Sequence, residues 1–89
     1  MTIERWVDVR DHPDYLISNR GRVRRKKHNI YLHGSLNRAN GYLRVGVDNK
    51  RYYIHRLVVD SFFDDVDPNA RIRHLDGDKT NNSLENLAW

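Results

Sequence analysis

Arg73-His74-Leu75-Asp76-Gly77-Asp78-Lys79-Thr80-Asn81-Asn82, continuing to Asn86-Leu87-Ala88-Trp89, is the stretch that decides how this chain is read. It reads as a short strand, a polar turn at Asp76-Gly77 and a second short apolar segment. A histidine closes the first strand, and asparagines lie across the turn. An imidazole held by an amide, with an ordinary pKa of about 6.5, suits the activation of water near neutral pH.

Working back from this stretch, Ile54, Leu57, Val58 and Phe62 recur at the spacing of a helix face, predicting a short helix from about His55 to Phe63 with its apolar stripe in the core. His55 opens it, either as a cap bonded to the backbone or with a functional role. Asp64-Asp65-Val66-Asp67-Pro68-Asn69 ends it. Before the helix, Tyr42 to Val47 alternates, with Leu43, Val45 and Val47 on one face and Tyr42 and Arg44 on the other. An Asp48-Asn49-Lys50 turn folds it onto Arg51-Tyr52-Tyr53-Ile54 as a hairpin. Further back, Trp6 to Val9 and Tyr15 to Ser18 are strands separated by a turn at Asp11-His12-Pro13-Asp14. Asn19-Arg20-Gly21 is a turn, Arg22-Val23-Arg24 begins a strand, and Ile30-Tyr31-Leu32 is a brief apolar segment ended by Gly34-Ser35. The fold class is α+β: a small antiparallel region, one helix, then the histidine-bearing unit.

Charge is distributed unevenly. The net charge is +4, yet no Asp or Glu occurs between Tyr15 and Val47, a window holding Arg20, Arg22, Arg24, Arg25, Lys26, Lys27, Arg38 and Arg44. From Asp60 onward acids prevail. A basic half with interleaved aromatics suits phosphate; the alternative is a solvated charged face. With 89 residues and no cysteine, the chain is one small domain that neither disulfides nor a thiolate zinc site can support. No apolar run reaches the roughly 20 residues of a membrane span. The expectation is a soluble protein of a reducing, intracellular compartment.

Three blocks in order carry a resemblance. Tyr15-Leu16-Ile17-Ser18-Asn19-Arg20-Gly21-Arg22-Val23 is similar to the "Y-x-V-S-N-x-G-x-V" opening of the small DNA-binding module (NUMOD-like) found with phage HNH homing endonucleases. Gly41-Tyr42-Leu43-Arg44-Val45, then Ile54-His55-Arg56-Leu57-Val58 and Phe62, resemble the segment that follows it. His74-x-Asp76-Gly77-x-Lys79-x-Asn81-Asn82-x-x-x-Asn86-Leu87-x-Trp89 resembles the nuclease motif itself. The implied division is a basic β-rich DNA-binding region over 1–50 and an HNH-like ββα motif over 51–89, incomplete at its C-terminus, in one compact unit.

The resemblance implies roles residue by residue. His74 falls on the general base and Asn86 on the asparagine that orients it and pins the loop; a purely turn-stabilising Asn86 gives the same sequence. Asn81 and Asn82 are loop formers, and Leu87 and Trp89 core of the second strand. The family uses a divalent metal, so Mg²⁺ or Mn²⁺ is implied for an active member and no cofactor otherwise. The metal ligands are not identified: Arg73 stands where Asp is common, and the family's final metal-binding helix lies past Trp89. Arg73 is then a phosphate contact or the partner of Asp76 or Asp67. Expected DNA contacts are Arg20, Arg22, Arg24, Arg25, Lys26, Lys27, Arg44, Arg51 and Arg73, on double-stranded DNA. A Leu87/Trp89 end left uncovered would invite a second copy or a host protein. The implied reaction is metal-assisted phosphodiester hydrolysis, the alternative an inactive DNA-binding module or an inhibitor of a host protein, in either case phage-encoded and at work in a bacterial cytoplasm.

Overall fold

The computed structural model describes residues 3–89. Strands β1 (Trp6–Val9), β2 (His12–Ser18), β3 (Val23–Arg25) and β4 (Ile30–Leu32) form an antiparallel sheet in sequence order. Its register aligns Val7 with Ile17, Ile17 with Val23 and Val23 with Leu32. Side chains alternate across a strand, so these four share one face and Trp6, Arg24 and Tyr31 the other. A second sheet joins β5 (Ser35–Leu36), β6 (Leu43–Val47) and β7 (Lys50–Tyr53). Asp48 and Asn49 close its hairpin with φ of 49° and 66°, a two-residue turn in which Asp and Asn tolerate the left-handed region. The helix α1 (Ile54–Phe62) follows at once, and the paired strands β8 (Arg73–His74) and β9 (Leu87–Ala88) complete the α+β architecture.

The inner faces meet in a single core. Val9, Ile17, Val23, Val45, Val47, Ile72 and Leu87 pack around Ile54, Leu57, Val58 and Val59 of α1. Burying each such side chain contributes on the order of 1.5–3 kcal/mol. The helix ends where the Phe63 N–H bonds back to Val59 O and the backbone turns extended.

Four expectations need correction. The helix occupies Ile54–Phe62, one residue earlier than its apolar period suggests, because Tyr53 leaves β7 directly into the first turn. The turn expected over residues 11–14 is confined to Arg10 and Asp11: Asp11 takes φ 65°, and His12 already pairs with Val9 across a bulge. Ser35–Leu36 is a strand, pairing with Arg44 and Leu43. The apolar end is not left open as a whole. Leu87 is only 6% exposed, whereas Trp89 is 49% exposed with its ring 5.0 Å from Phe63.

Candidate active site and nucleic-acid interface

His74 sits at the end of β8, opposite Leu87, and the Leu75 N–H bonds to Asn86 O to close the ladder. Its Nε2 lies 2.8 Å from Oδ1 of buried Asn82. With that oxygen accepting, Nε2 carries the ring proton and Nδ1 presents its lone pair. The amide that holds the histidine is therefore Asn82, which the sequence had placed among the loop formers. Asn86 turns away to the loop: its Nδ2 donates to Asp76 Oδ1 and Asn81 O, each at 2.9 Å, and its Oδ1 accepts from the Asp76 N–H at 3.1 Å. Asn81 is the loop former expected, donating to Asp76 Oδ2 at 2.8 Å.

Asn82 is held from a distance. The Leu84 N–H donates to Asn19 O at 2.7 Å, docking the β2–β3 turn onto the histidine loop. That turn is built by Ser18, whose Oγ accepts from the N–H groups of Arg20 and Arg22, and by Gly21 at φ 82°. A Cβ on Gly21 would lie 2.9 Å from both Cβ and O of Asn82, so glycine here permits the close approach as well as the turn. Nothing in the local sequence of Asn82 signals this contact; only the buried position of a polar side chain does.

Aromatic rings wall the site. Tyr42 lies 5.7 Å from the His74 ring, His55 lies 5.2 Å from His74 and 4.7 Å from Tyr42, and Tyr53 backs His55 at 5.5 Å. Burial, reinforced by the repulsion of His74 when protonated and of Arg56, pushes the His55 pKa down to about 4. Lys79 Nζ lies over Tyr42, 4.9 Å from its centroid, and donates to Asn40 O at 2.9 Å. Arg71, Arg73, His74, Gly77 and Lys79 line an open cleft of about 590 Å³ with Tyr42. Arg73 is exposed and makes no ion pair among the described residues, so neither Asp76 nor Asp67 neutralises it.

A divalent cation fits these residues poorly. No three His, Asp or Glu side chains converge among the described residues. Asp76 already accepts from Asn81, from the Asp78 N–H and from Asn86, which together hold its pKa below the usual carboxylate range. Asp78 is engaged by Thr80. Hard cations require several oxygen ligands, and these two carboxylates are committed to the loop.

The remaining cations divide into those already paired and those that are not. Arg22 forks onto Glu4, whose pKa that contact holds down at about 2, and its guanidinium lies 5.4 Å from the Trp6 ring and 5.1 Å from Tyr31. Arg24 lies 4.5 Å over Trp6 and bonds Asn29, while Lys26 meets Asp8 at 2.9 Å. The acid-free window is thus partly neutralised by acids that precede it in sequence. Arg20 lies exposed at the turn that docks on Asn82. Arg25, Lys27 and Arg51 are exposed with no ion pair among the described residues. Arg44 stands beside Tyr53 across the hairpin, its Nε buried without a partner there.

This assembly has relatives. A family model described as the NUMOD4 motif matches residues 4–48, and one described as HNH endonuclease matches residues 52–89. Two uncharacterised HNH endonucleases of Acanthamoeba polyphaga mimivirus are 34% and 35% identical over 93% and 98% of the chain, which spans only 26% and 23% of their lengths. DNA endonuclease I-HmuI of Bacillus phage SP01 is 32% identical over 94% of this chain and 51% of its own. The solved structure of that homing endonuclease, described as DNA binding and cleavage, superposes with a TM-score of 0.81 at 31% identity, covering 93% of this chain and 50% of that one. The ordered blocks, the shared fold and both matched motifs place the chain in the HNH homing endonuclease family.

Proposed function

We propose that this chain binds double-stranded DNA and supplies the general base of an HNH-type phosphodiester hydrolysis. The observation that carries the reading is the Asn82–His74 contact: with Asn82 Oδ1 accepting, the ring proton is on Nε2 and Nδ1 is left as the base, on a histidine that lines a cleft with Arg71, Arg73 and Lys79. A water proton passes to Nδ1 as the water oxygen bonds to phosphorus. The phosphorus bond to the departing sugar oxygen breaks, its electron pair leaves on that oxygen, and solvent protonates it. Such base catalysis contributes on the order of 10²–10⁴-fold. HNH nucleases generally use a divalent metal, and Mg²⁺ or Mn²⁺ is the cofactor we assign. Its oxygen ligands must exceed what Asp76 and Asp78 offer here.

For DNA contact, Arg25, Lys27, Arg51 and Arg73 are the strongest members of the set named from sequence, because no carboxylate among the described residues pairs with them. Arg20 and Arg44 extend it. Arg22 and Arg24 present a cation–aromatic face with Trp6 and Tyr31, and Arg22 and Lys26 are already in ion pairs. No helix is long and apolar enough to cross a membrane among the described residues. The relatives are viral, and the setting we assign is the interior of a phage-infected bacterium.

The test is nick mapping on mixed genomic DNA with Mg²⁺ or Mn²⁺, beside a His74→Ala control. Metal-dependent nicks absent from the control are expected. Equal nicking by both proteins, or none by either, would overturn the catalytic assignment. Retained salt-sensitive DNA binding would then leave the binding assignment standing alone.

A further inference from the structure

His55 has no part in the chemistry above, yet it occupies the center of the ring cluster. It stands at the start of α1, and its imidazole touches Tyr42 from the loop before β6, Tyr53 from the end of β7 and His74 from β8. Its Nδ1 is buried with no hydrogen-bond partner among the described residues. What holds this ring is packing. A residue used as a hydrogen-bonding relay would have that nitrogen satisfied.

The consequence falls on His74. The Asn82 bond fixes one edge of the His74 ring but does not by itself prevent a flip about the bond to Cβ, which would replace Nε2 with carbon at Oδ1. The Tyr42 ring lies beside His74, tilted at 32° with its centroid 5.7 Å away, and His55 meets His74 edge-on at 70°. Both rings would be met by a turning imidazole. We propose that His55 is a positioning residue for His74: a neutral aromatic wall that, with Tyr42, keeps Nε2 on Asn82 and Nδ1 directed to its proton-accepting role. This rests on the reading of His74 as the base, and it specifies why that base carries a single tautomer.

Neutrality is part of the role. Two cationic imidazoles with centroids 5.2 Å apart would repel, so a proton taken by His74 requires its neighbour to remain uncharged. Burial and the cations nearest His55 favour that state. His74 and Arg56 are cationic when charged, and the other two rings against His55 are those of Tyr42 and Tyr53. Lys79, over the far ring of Tyr42, adds a further cation.

The experiment is long-range ¹H–¹⁵N NMR of the histidine rings in the full 89-residue chain, for wild type, His55→Phe, His55→Ala and His74→Ala. Wild type should show His74 as the Nε2–H tautomer, and His55 should remain neutral at pH 5. His55→Phe restores the wall and removes the orphaned nitrogen. It should fold at least as stably and keep the tautomer. His55→Ala should average the two His74 tautomers, with nicking falling at least about tenfold while His55→Phe remains within a few-fold of wild type. His74→Ala removes a group that repels the His55 proton when itself protonated, and should raise the His55 midpoint. A single unchanged His74 tautomer in His55→Ala, or a His55 that charges near the ordinary imidazole pKa in wild type, would overturn the proposal. If His55→Ala does not fold, loss of the tautomer in a folded His55→Phe would overturn it as well. Absence of nicking in wild type would sink the nuclease reading, while the tautomer readings would still decide the role of His55.

Discussion

Asn86 offers the sharpest check on how the histidine loop is held. Replacing it with Ala deletes two bonds to backbone, one accepted from the Asp76 N–H and one donated to Asn81 O, at 3.1 and 2.9 Å. Asn86 is 8% exposed, so water does not readily replace these partners. At about 1 kcal/mol each, the two amount to about 2 kcal/mol. The third bond, to the exposed Asp76 carboxylate, adds little because that group regains water. In a domain of this size about 2 kcal/mol lowers Tm by roughly 8–16 °C. Asn86→Asp adds a sign to the test. It keeps the acceptor but sets a carboxylate where the Nδ2 donor faced Asp76 Oδ1 at 2.9 Å. Two carboxylates so placed raise each other's tendency to bind a proton. Their repulsion is present above the raised folded-state pKa and is relieved as pH falls through it. In wild type the dependence runs oppositely: the Asp76 pKa is lowered, so its contribution is present at neutral pH and lost as pH falls below the ordinary carboxylate range. Thermal melts of the three proteins between pH 3 and 7 decide it. Asn86→Asp should be the least stable at pH 7 and close on wild type toward pH 4. A Tm within about 2 °C of wild type for Asn86→Ala, or a deficit in Asn86→Asp that does not change with pH, would refute the reasoning.

Other expectations follow from the same contacts. Asn82→Ala should lose the single His74 tautomer in NMR and cut nicking about 10–100-fold, because a misoriented base forfeits much of its acid–base share; full activity would show that another group orients it. Arg25→Ala should reduce the salt slope of DNA affinity by about one. Arg22→Ala should reduce it less, since Glu4 already neutralises that guanidinium, and Glu4→Gln should tighten DNA binding; equal slopes for Arg22→Ala and Arg25→Ala would refute this assignment. Gly21→Ala should destabilise by about 1–3 kcal/mol in urea melts, combining a left-handed φ of 82° with contact against Asn82. An unchanged midpoint would mean that the turn does not bear on the histidine loop.

Elements whose patterns are local could be read directly along the chain. Alternation along Leu43, Val45 and Val47 identified a half-buried strand, the spacing of Ile54, Leu57 and Val58 identified the helix, and the ordered motif blocks marked His74 and the family. Ser35–Leu36 escaped because two exposed residues carry no period; its strand character exists only through pairing with β6. The tertiary structure decided the rest. Glu4 and Asp8 neutralise Arg22 and Lys26 because the antiparallel register of β1, β2 and β3 brings together residues 18 apart. Asn82 holds His74 and Asn86 does not, because the Asn19–Gly21 turn docks on that loop from the other end of the chain. Both asparagines have the same chemistry, and which one faces an imidazole is set by long-range packing. Hydrophobic period is written along the chain, whereas partner choice among polar side chains depends on where the fold buries them.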